Sequence, residues 1–182
     1  LGTALARQHR HTAGGYGFEA DGFIGANPQK NDWAADWCGF WLDQRLGYQC
    51  QLLDRQHGGD DWSRRLQRLS AAVRPWLAAH QPPASLLHGD LWAGNAAALK
   101  DNTPVIYDPA AYYGDREADL ALTHLFGGFS EAFYSAYNAA WPLPAGWRRR
   151  EPVYRLYHVL NHAALFGGGY RRQASRIMAE LE

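Results

Sequence analysis

The stretch Leu87-His88-Gly89-Asp90-Leu91-Trp92-Ala93-Gly94-Asn95 sets a carboxylate and an amide apart by four residues. A second carboxylate, Asp108, follows in Val105-Ile106-Tyr107-Asp108-Pro109. Phosphoryl transfer needs this kind of set: a carboxylate to take the proton of an attacking hydroxyl, and hard oxygen ligands to hold Mg²⁺ against the phosphates of ATP. Asp-x-x-x-x-Asn is the spacing of a kinase catalytic loop. A loop of that length can turn back so that Asp90 faces the acceptor and Asn95 faces the metal. Alone, the spacing means little, and its bland reading is a pair of loop caps with Asp108 capping a helix. His-Gly-Asp in front of it, a hairpin behind it and an Asp at the exit of an apolar strand make the combination specific.

The elements that must position these residues follow from the punctuation of the chain. Ser85–His88, Ala96–Leu99 and Pro104–Tyr107 read as short extended pieces, the last two joined by the polar turn Lys100-Asp101-Asn102-Thr103. That hairpin returns Asp108 to the metal side of Asn95. Upstream, Leu1 to His9 reads as the end of a helix, and a Gly-rich loop with one extended piece at Gly22–Gly25 follows. A helix is expected from Asn31-Asp32, capped by Asn31 and stopped near Gly47. Another is expected over roughly Asp60 to Ala79, with Trp62, Leu66, Leu69, Val73 and Leu77 on one face and Pro75 kinking or ending it. After Gly114 the pattern is helical: Glu117–Phe126, Ser130–Ala140, Trp147–Phe166 and Tyr170–Leu181.

Composition narrows the function classes. The 182 residues suit one domain, 1–182, and 18 basic residues balance 18 acidic ones, which argues against nucleic-acid binding by bulk charge. A hydrophobic share of 47% excludes wholesale disorder, and no apolar run approaches a membrane span. The 8 Trp, 10 Tyr and 7 Phe are enough to line a cleft as well as a core. Lys30 and Lys100 are the only lysines, so few candidates exist for a lysine-dependent site. Cys38 and Cys50 do not make a disulfide scaffold and read as reduced, buried thiols.

These segments resemble the kinase-like phosphotransferases, a group that includes choline and aminoglycoside kinases, and among them most closely the fructosamine-3-kinase (ketosamine-3-kinase) family. The likeness rests on Leu87 to Asn95, on Asp108-Pro109-Ala110, on Tyr112-Tyr113-Gly114-Asp115-Arg116-Glu117-Ala118-Asp119-Leu120, on Phe126-Gly127-Gly128-Phe129 and on Leu160-Asn161-His162. Gly22-Phe23-Ile24-Gly25, Pro28-Gln29 and Asp36-Trp37 add to it. The resemblance implies an α+β fold, mainly α: a protein-kinase-like C-terminal lobe whose small β-hairpin carries the catalytic and metal loops. The Gly-rich strand pair and strand lysine that grip ATP in such enzymes are not recognisable here. The N-terminal β lobe is therefore expected to be absent, and the 182-residue chain alone to be inactive.

The implied roles are Asp90 as base, Asn95 and Asp108 as Mg²⁺ ligands, and His88 and Asp119 as supports of the catalytic loop. The implied activity is ATP-dependent phosphorylation of the 3-hydroxyl of a ketosamine, free or on protein lysine, as deglycation repair in the cytoplasm. Neither nucleic acid nor membrane is an expected partner. Another alcohol or aminoglycoside as acceptor, or a non-catalytic lobe, is the alternative. For the acceptor, Trp92 stands two residues past the base. His158, Asn161 and His162 share a helical face that either enters the cleft or is an ordinary half-buried polar stripe. Tyr112, Tyr113 and Glu117 follow the metal Asp and are expected to reach the sugar. His158 and His162 have a zinc-compatible spacing, but no third ligand accompanies them.

Overall fold

The computed structural model describes residues 1–56 and 61–182. Among the described residues helices predominate, with three small antiparallel sheets set among them. The chain opens with helix α1 (Gly2–His9) and strand β1 (Thr12–Ala13), followed by the hairpin of β2 (Gly22–Ile24) and β3 (Asn27–Gln29). Next comes a continuous helical rod: α2 (Trp37–Gly39), a π-helical segment (Phe40–Gly47) and α3 (Tyr48–Gln56). Helix α4 (Trp62–Leu77) precedes β4 (Ala84–Leu87). A 3₁₀ turn (Ala93–Asn95) leads into β5 (Ala96–Ala98), β6 (Pro104–Ile106) and β7 (Tyr112–Gly114). Four helices end the chain: α5 (Arg116–Thr123), α6 (Glu131–Ala140), α7 (Trp147–Phe166) and α8 (Gly168–Leu181).

The helical rod begins and continues differently from the sequence reading. The helix expected at Asn31 begins instead at Trp37, where the Asp36 side chain accepts the Gly39 N–H at 2.7 Å. Asn31 is buried and takes part in a tertiary lock: its Oδ1 accepts from the Arg45 guanidinium at 2.8 Å and its Nδ2 donates to the Ala20 carbonyl. Gly47 does not stop the helix, because the widened turns of the π-helical segment carry the backbone through it. The expected apolar face of α4 is buried along its whole length. Asp54 and Asp61 satisfy the orphan N–H groups at its start, and Pro75 sits inside the helix without ending it. Asp60, where the sequence places that start, lies outside the described residues.

The core sits between α7 and the helical rod. Trp37 and Trp41 pack their rings on Tyr154, Trp41 also meets Tyr157, and Phe40 meets Tyr112. A second cluster joins α1 to α6 through Leu5, Ala6, Phe133 and Tyr137, and takes in Leu91 and Leu120. The central sheet has the order β1-β4-β7, with Leu87 opposite Tyr112. Its register fixes the site. Strand β4 ends one residue before His88, and β7 feeds directly into α5 through the N-cap Asp115.

Candidate functional site

The backbone from His88 to Asp90 is held from three directions. Asp119, in the first turn of α5, is buried and accepts the N–H of His88 at 2.7 Å and that of Gly89 at 2.8 Å. The carbonyl of His88 accepts the Ala110 N–H at 2.9 Å. The His88 ring spans the loop: Nε2 donates to the Tyr107 carbonyl at 2.9 Å, which leaves Nδ1 to accept the Asp90 N–H at 3.3 Å. Gly89 has φ +81, and a Cβ there would lie 1.9 Å from the Ala110 carbonyl oxygen, so only glycine permits the turn.

Behind Asp119 lies a relay that the sequence reading did not find. His9, fully buried at the end of α1, places Nε2 3.1 Å from Asp119 Oδ2 and Nδ1 2.7 Å from the Tyr137 hydroxyl. The Arg116 guanidinium donates to the same hydroxyl at 3.1 Å. Burial alone would raise the Asp119 pKa. The bonds from His9 and the loop N–H groups outweigh it and hold the carboxyl below the ordinary range, so it stays an acceptor. His9 lies 110 residues from Asp119, and no local pattern could have paired them.

Asp90 stands at the end of this held loop. Asn95 Nδ2 donates to the Asp90 carbonyl at 2.9 Å and to its Oδ2 at 3.2 Å. Burial pushes the Asp90 carboxyl above the ordinary range, with the neighbouring His88 and His162 rings and the Asn95 bond partly offsetting it. A carboxylate raised in this way is a stronger proton acceptor. Asn95 also meets the strand carrying Asp108: the Tyr107 N–H donates to the Asn95 carbonyl at 3.1 Å, and Ala96 pairs with Ile106. Asp108 follows at once with the left-handed φ of 54, unusual for a side chain other than glycine. The donor set suits a hard dication. Asn95 commits its amide nitrogen to Asp90, which leaves its side-chain Oδ1 as the ligand atom, and Asp108 adds an exposed carboxylate just past the end of β6.

Asp90 and Trp92 line a cavity of about 370 Å³ together with Phe126, Asn161, His162 and Tyr170. Ile24, Gly25, Leu165 and Phe166 complete it. Trp92, Asn161 and His162 therefore lie where a substrate bound at Asp90 would sit. Asn161 is fixed from behind, its Oδ1 accepting from Asn27 at 2.8 Å and Gln49 at 3.2 Å. His162 Nδ1 donates to the His158 carbonyl at 2.8 Å.

Four residues expected at the acceptor are elsewhere. His158 is buried in the core beside Tyr157 and does not line the cavity, so the polar stripe turns only its Asn161 and His162 edge into the cleft. Tyr112 points into the core because β7 alternates its faces. There it lies under the Arg45 guanidinium, 4.0 Å from the ring centroid. Glu117 points away from the hairpin and forms a buried bidentate pair with Arg150, at 2.8 and 2.6 Å. His80 lies 2.8 Å from Asp115 and 3.7 Å from Glu117 in the same cluster. Tyr113, also expected near the sugar, stacks with Trp33. Cys38 and Cys50 are buried free thiols, and burial pushes Cys50 up to about 12.

The family model described as fructosamine kinase matches residues 1–182. A Synechocystis protein named as a probable ketoamine kinase is 46% identical over 183 residues, covering 99% of this chain and 60% of its own length. The chloroplastic protein-ribulosamine 3-kinase of Arabidopsis thaliana is 44% identical over 180 residues, covering 98% and 55%. A crystal structure of a Thermobifida fusca protein assigned as a fructosamine-3-kinase superposes with a TM-score of 0.88 at 36% identity, covering 99% of this chain and 62% of that one. The chain thus spans about 60% of the length of the relatives it matches.

Proposed function

The chain belongs to the fructosamine kinase family, and from that premise we propose that its site phosphorylates the 3-hydroxyl of a ketosamine, with ATP as donor and Mg²⁺ as the metal. One observation carries the reading. A loop carboxylate with a raised pKa, tied to Asn95, opens into a ring-lined cavity of a size for a sugar adduct. Asp90 accepts the proton of the acceptor hydroxyl. Asn95 holds Asp90 in its rotamer and, with Asp108, would hold the metal. Bound there, Mg²⁺ would neutralise charge on the transferring phosphoryl group. Trp92 and His162 flank the acceptor, and His88 and Asp119 hold the loop.

The acceptor is a free ketosamine or a glycated lysine on protein, and phosphorylation of either begins deglycation repair. The buried free thiols of Cys38 and Cys50 support a cytoplasmic setting. Lys30 is paired with Asp21, and Lys100 lies in the β5–β6 turn, so neither is offered as the phosphate lysine.

The test compares this chain with the full-length product of its gene on a panel of ketosamines, simple alcohols and an aminoglycoside. Asp90→Ala in the active form should lower kcat by about 10²–10⁴ while the fold persists. Near-normal turnover by that variant sinks the assignment of the base. Transfer to aminoglycosides and not to ketosamines sinks the substrate.

A further inference from the structure

The α7–α8 corner builds one wall of the cavity from aromatic rings. His162 has its centroid 4.9 Å from Phe126, 5.0 Å from Tyr170 and 5.6 Å from Phe166. Phe166 and Tyr170 stand 6.3 Å apart on opposite sides of the corner. The corner depends on Gly167 and Gly168, with φ of +65 and +52, a run of left-handed backbone that side chains beyond glycine rarely adopt. Phe166 is 68% exposed, although a ring of its size is worth burying. Its exposed face lies at the cavity that holds Asp90.

The charge of this lining is lopsided. Among the residues that form it there is no Lys or Arg, and Asp90 is its only acid. Aromatic faces carry the negative end of the ring quadrupole and attract cations, while alkyl groups lie against them without cost. A ketosamine bears a secondary ammonium on C1, two carbons from the carbon of its 3-hydroxyl. With that hydroxyl at Asp90, the ammonium and its alkyl stem remain within the same cavity.

We infer that Phe126, Phe166 and Tyr170, ordered around His162, form the recognition wall for the amine-bearing arm of the acceptor. The wall selects ammonium-bearing ketosamines with an alkyl stem over uncharged sugars of the same shape. The inference rests on the ketosamine reading of the site and names residues that determine its specificity.

The experiment measures kcat/KM of the full-length enzyme for 1-deoxy-1-butylaminofructose and for 1-deoxyfructose, which lacks the nitrogen. The wild type should favour the amine. Phe166→Ala and Tyr170→Ala should each lower the selectivity ratio by roughly 3- to 30-fold, chiefly through KM for the amine. Phe166→Leu, which keeps apolar cover without a ring face, should fall between. Thermal melts confirm that the folds persist, as the exposure of Phe166 leads one to expect. An unchanged ratio in both alanine variants overturns the wall and leaves the ketosamine reading standing, as does a wild type that treats the two sugars alike. A wild type that phosphorylates no ketosamine overturns both.

Discussion

His9 Nε2 lies 3.1 Å from Asp119 Oδ2, so the first helix of the chain reaches the carboxylate that holds the backbone of the His88–Asp90 loop. The two side chains are fully buried, and Tyr137 and Arg116 extend the contact to α6 and α5. Breaking this bond leaves a buried carboxylate and a buried hydroxyl each short of a partner. His9→Ala should therefore cost about 1–3 kcal/mol of stability. It should also lower kcat with little change in KM, because Asp119 then holds the His88 and Gly89 N–H groups less firmly. His9→Gln, which can still donate to Asp119, should recover part of the kcat. Kinetics well below the melting temperature separate the two effects. Full kcat in the folded His9→Ala enzyme would confine the contact to stability.

Gly89→Ala tests the turn itself. Its Cβ would meet the Ala110 carbonyl oxygen at 1.9 Å, at a φ that costs a side chain about 1–2 kcal/mol before any clash. The His88 carbonyl bonds the Ala110 N–H across the same gap, so the loop cannot yield without releasing Asp90. The expected outcome is a loss of activity on the scale of removing the base, about 10²-fold or more, with a lowered melting temperature. A Gly89→Ala enzyme within a few-fold of wild type would mean that Ala110 moves freely.

What could be read in the sequence was local. Asp90 and Asn95 are tied by loop length, and one hairpin returns Tyr107, the neighbour of Asp108, to Asn95, so the spacing carries that approach. The apolar stripe of α4 and the placement of Asp119 in a first helical turn were legible for the same reason. Directions of side chains were not. Tyr112 and Glu117 follow Asp108 closely, yet the pleat of β7 and the turn at Asp115 send them into the core and to Arg150. Asn31 has a good capping side chain, but its amide is spent on Arg45 and Ala20, and Asp36 caps the helix instead. Phe166 and Tyr170 meet only because α7 and α8 fold back at glycines that read as mere punctuation.

The Glu117–Arg150 pair predicts a stability effect where a substrate role would predict a kinetic one. Both side chains are nearly inaccessible, and the bidentate geometry places two short bonds between them. Arg150→Ala strands a buried carboxylate and should cost about 3–5 kcal/mol. Glu117→Gln in that background should return part of the loss, since it removes the uncompensated charge. KM for the acceptor should stay put in whichever variants remain folded. A rise in KM at Glu117→Gln without a fall in melting temperature would return Glu117 to the acceptor site.

His158 gives the fold a pH slope of its own. Burial, reinforced by the charge of His162, depresses its pKa to about 3, with Asp119 opposing and Arg45 adding to the depression. Its Nδ1 finds no partner among the described residues, so protonation has little to gain inside the fold. An unfolded histidine takes up its proton near pH 6.5. Between about 6.5 and 3 the unfolded chain thus binds one more proton at this position than the native chain, and stability falls as pH falls. The slope approaches about 1.4 kcal/mol per pH unit, and the loss between pH 7 and pH 5 comes to about 2 kcal/mol from this group. His158→Phe keeps the ring volume and removes the titration, so its stability should fall less over that interval by about the same amount. Urea titrations of both proteins at pH 7 and pH 5 measure the difference directly, and parallel losses would show that His158 takes up its proton inside the native fold.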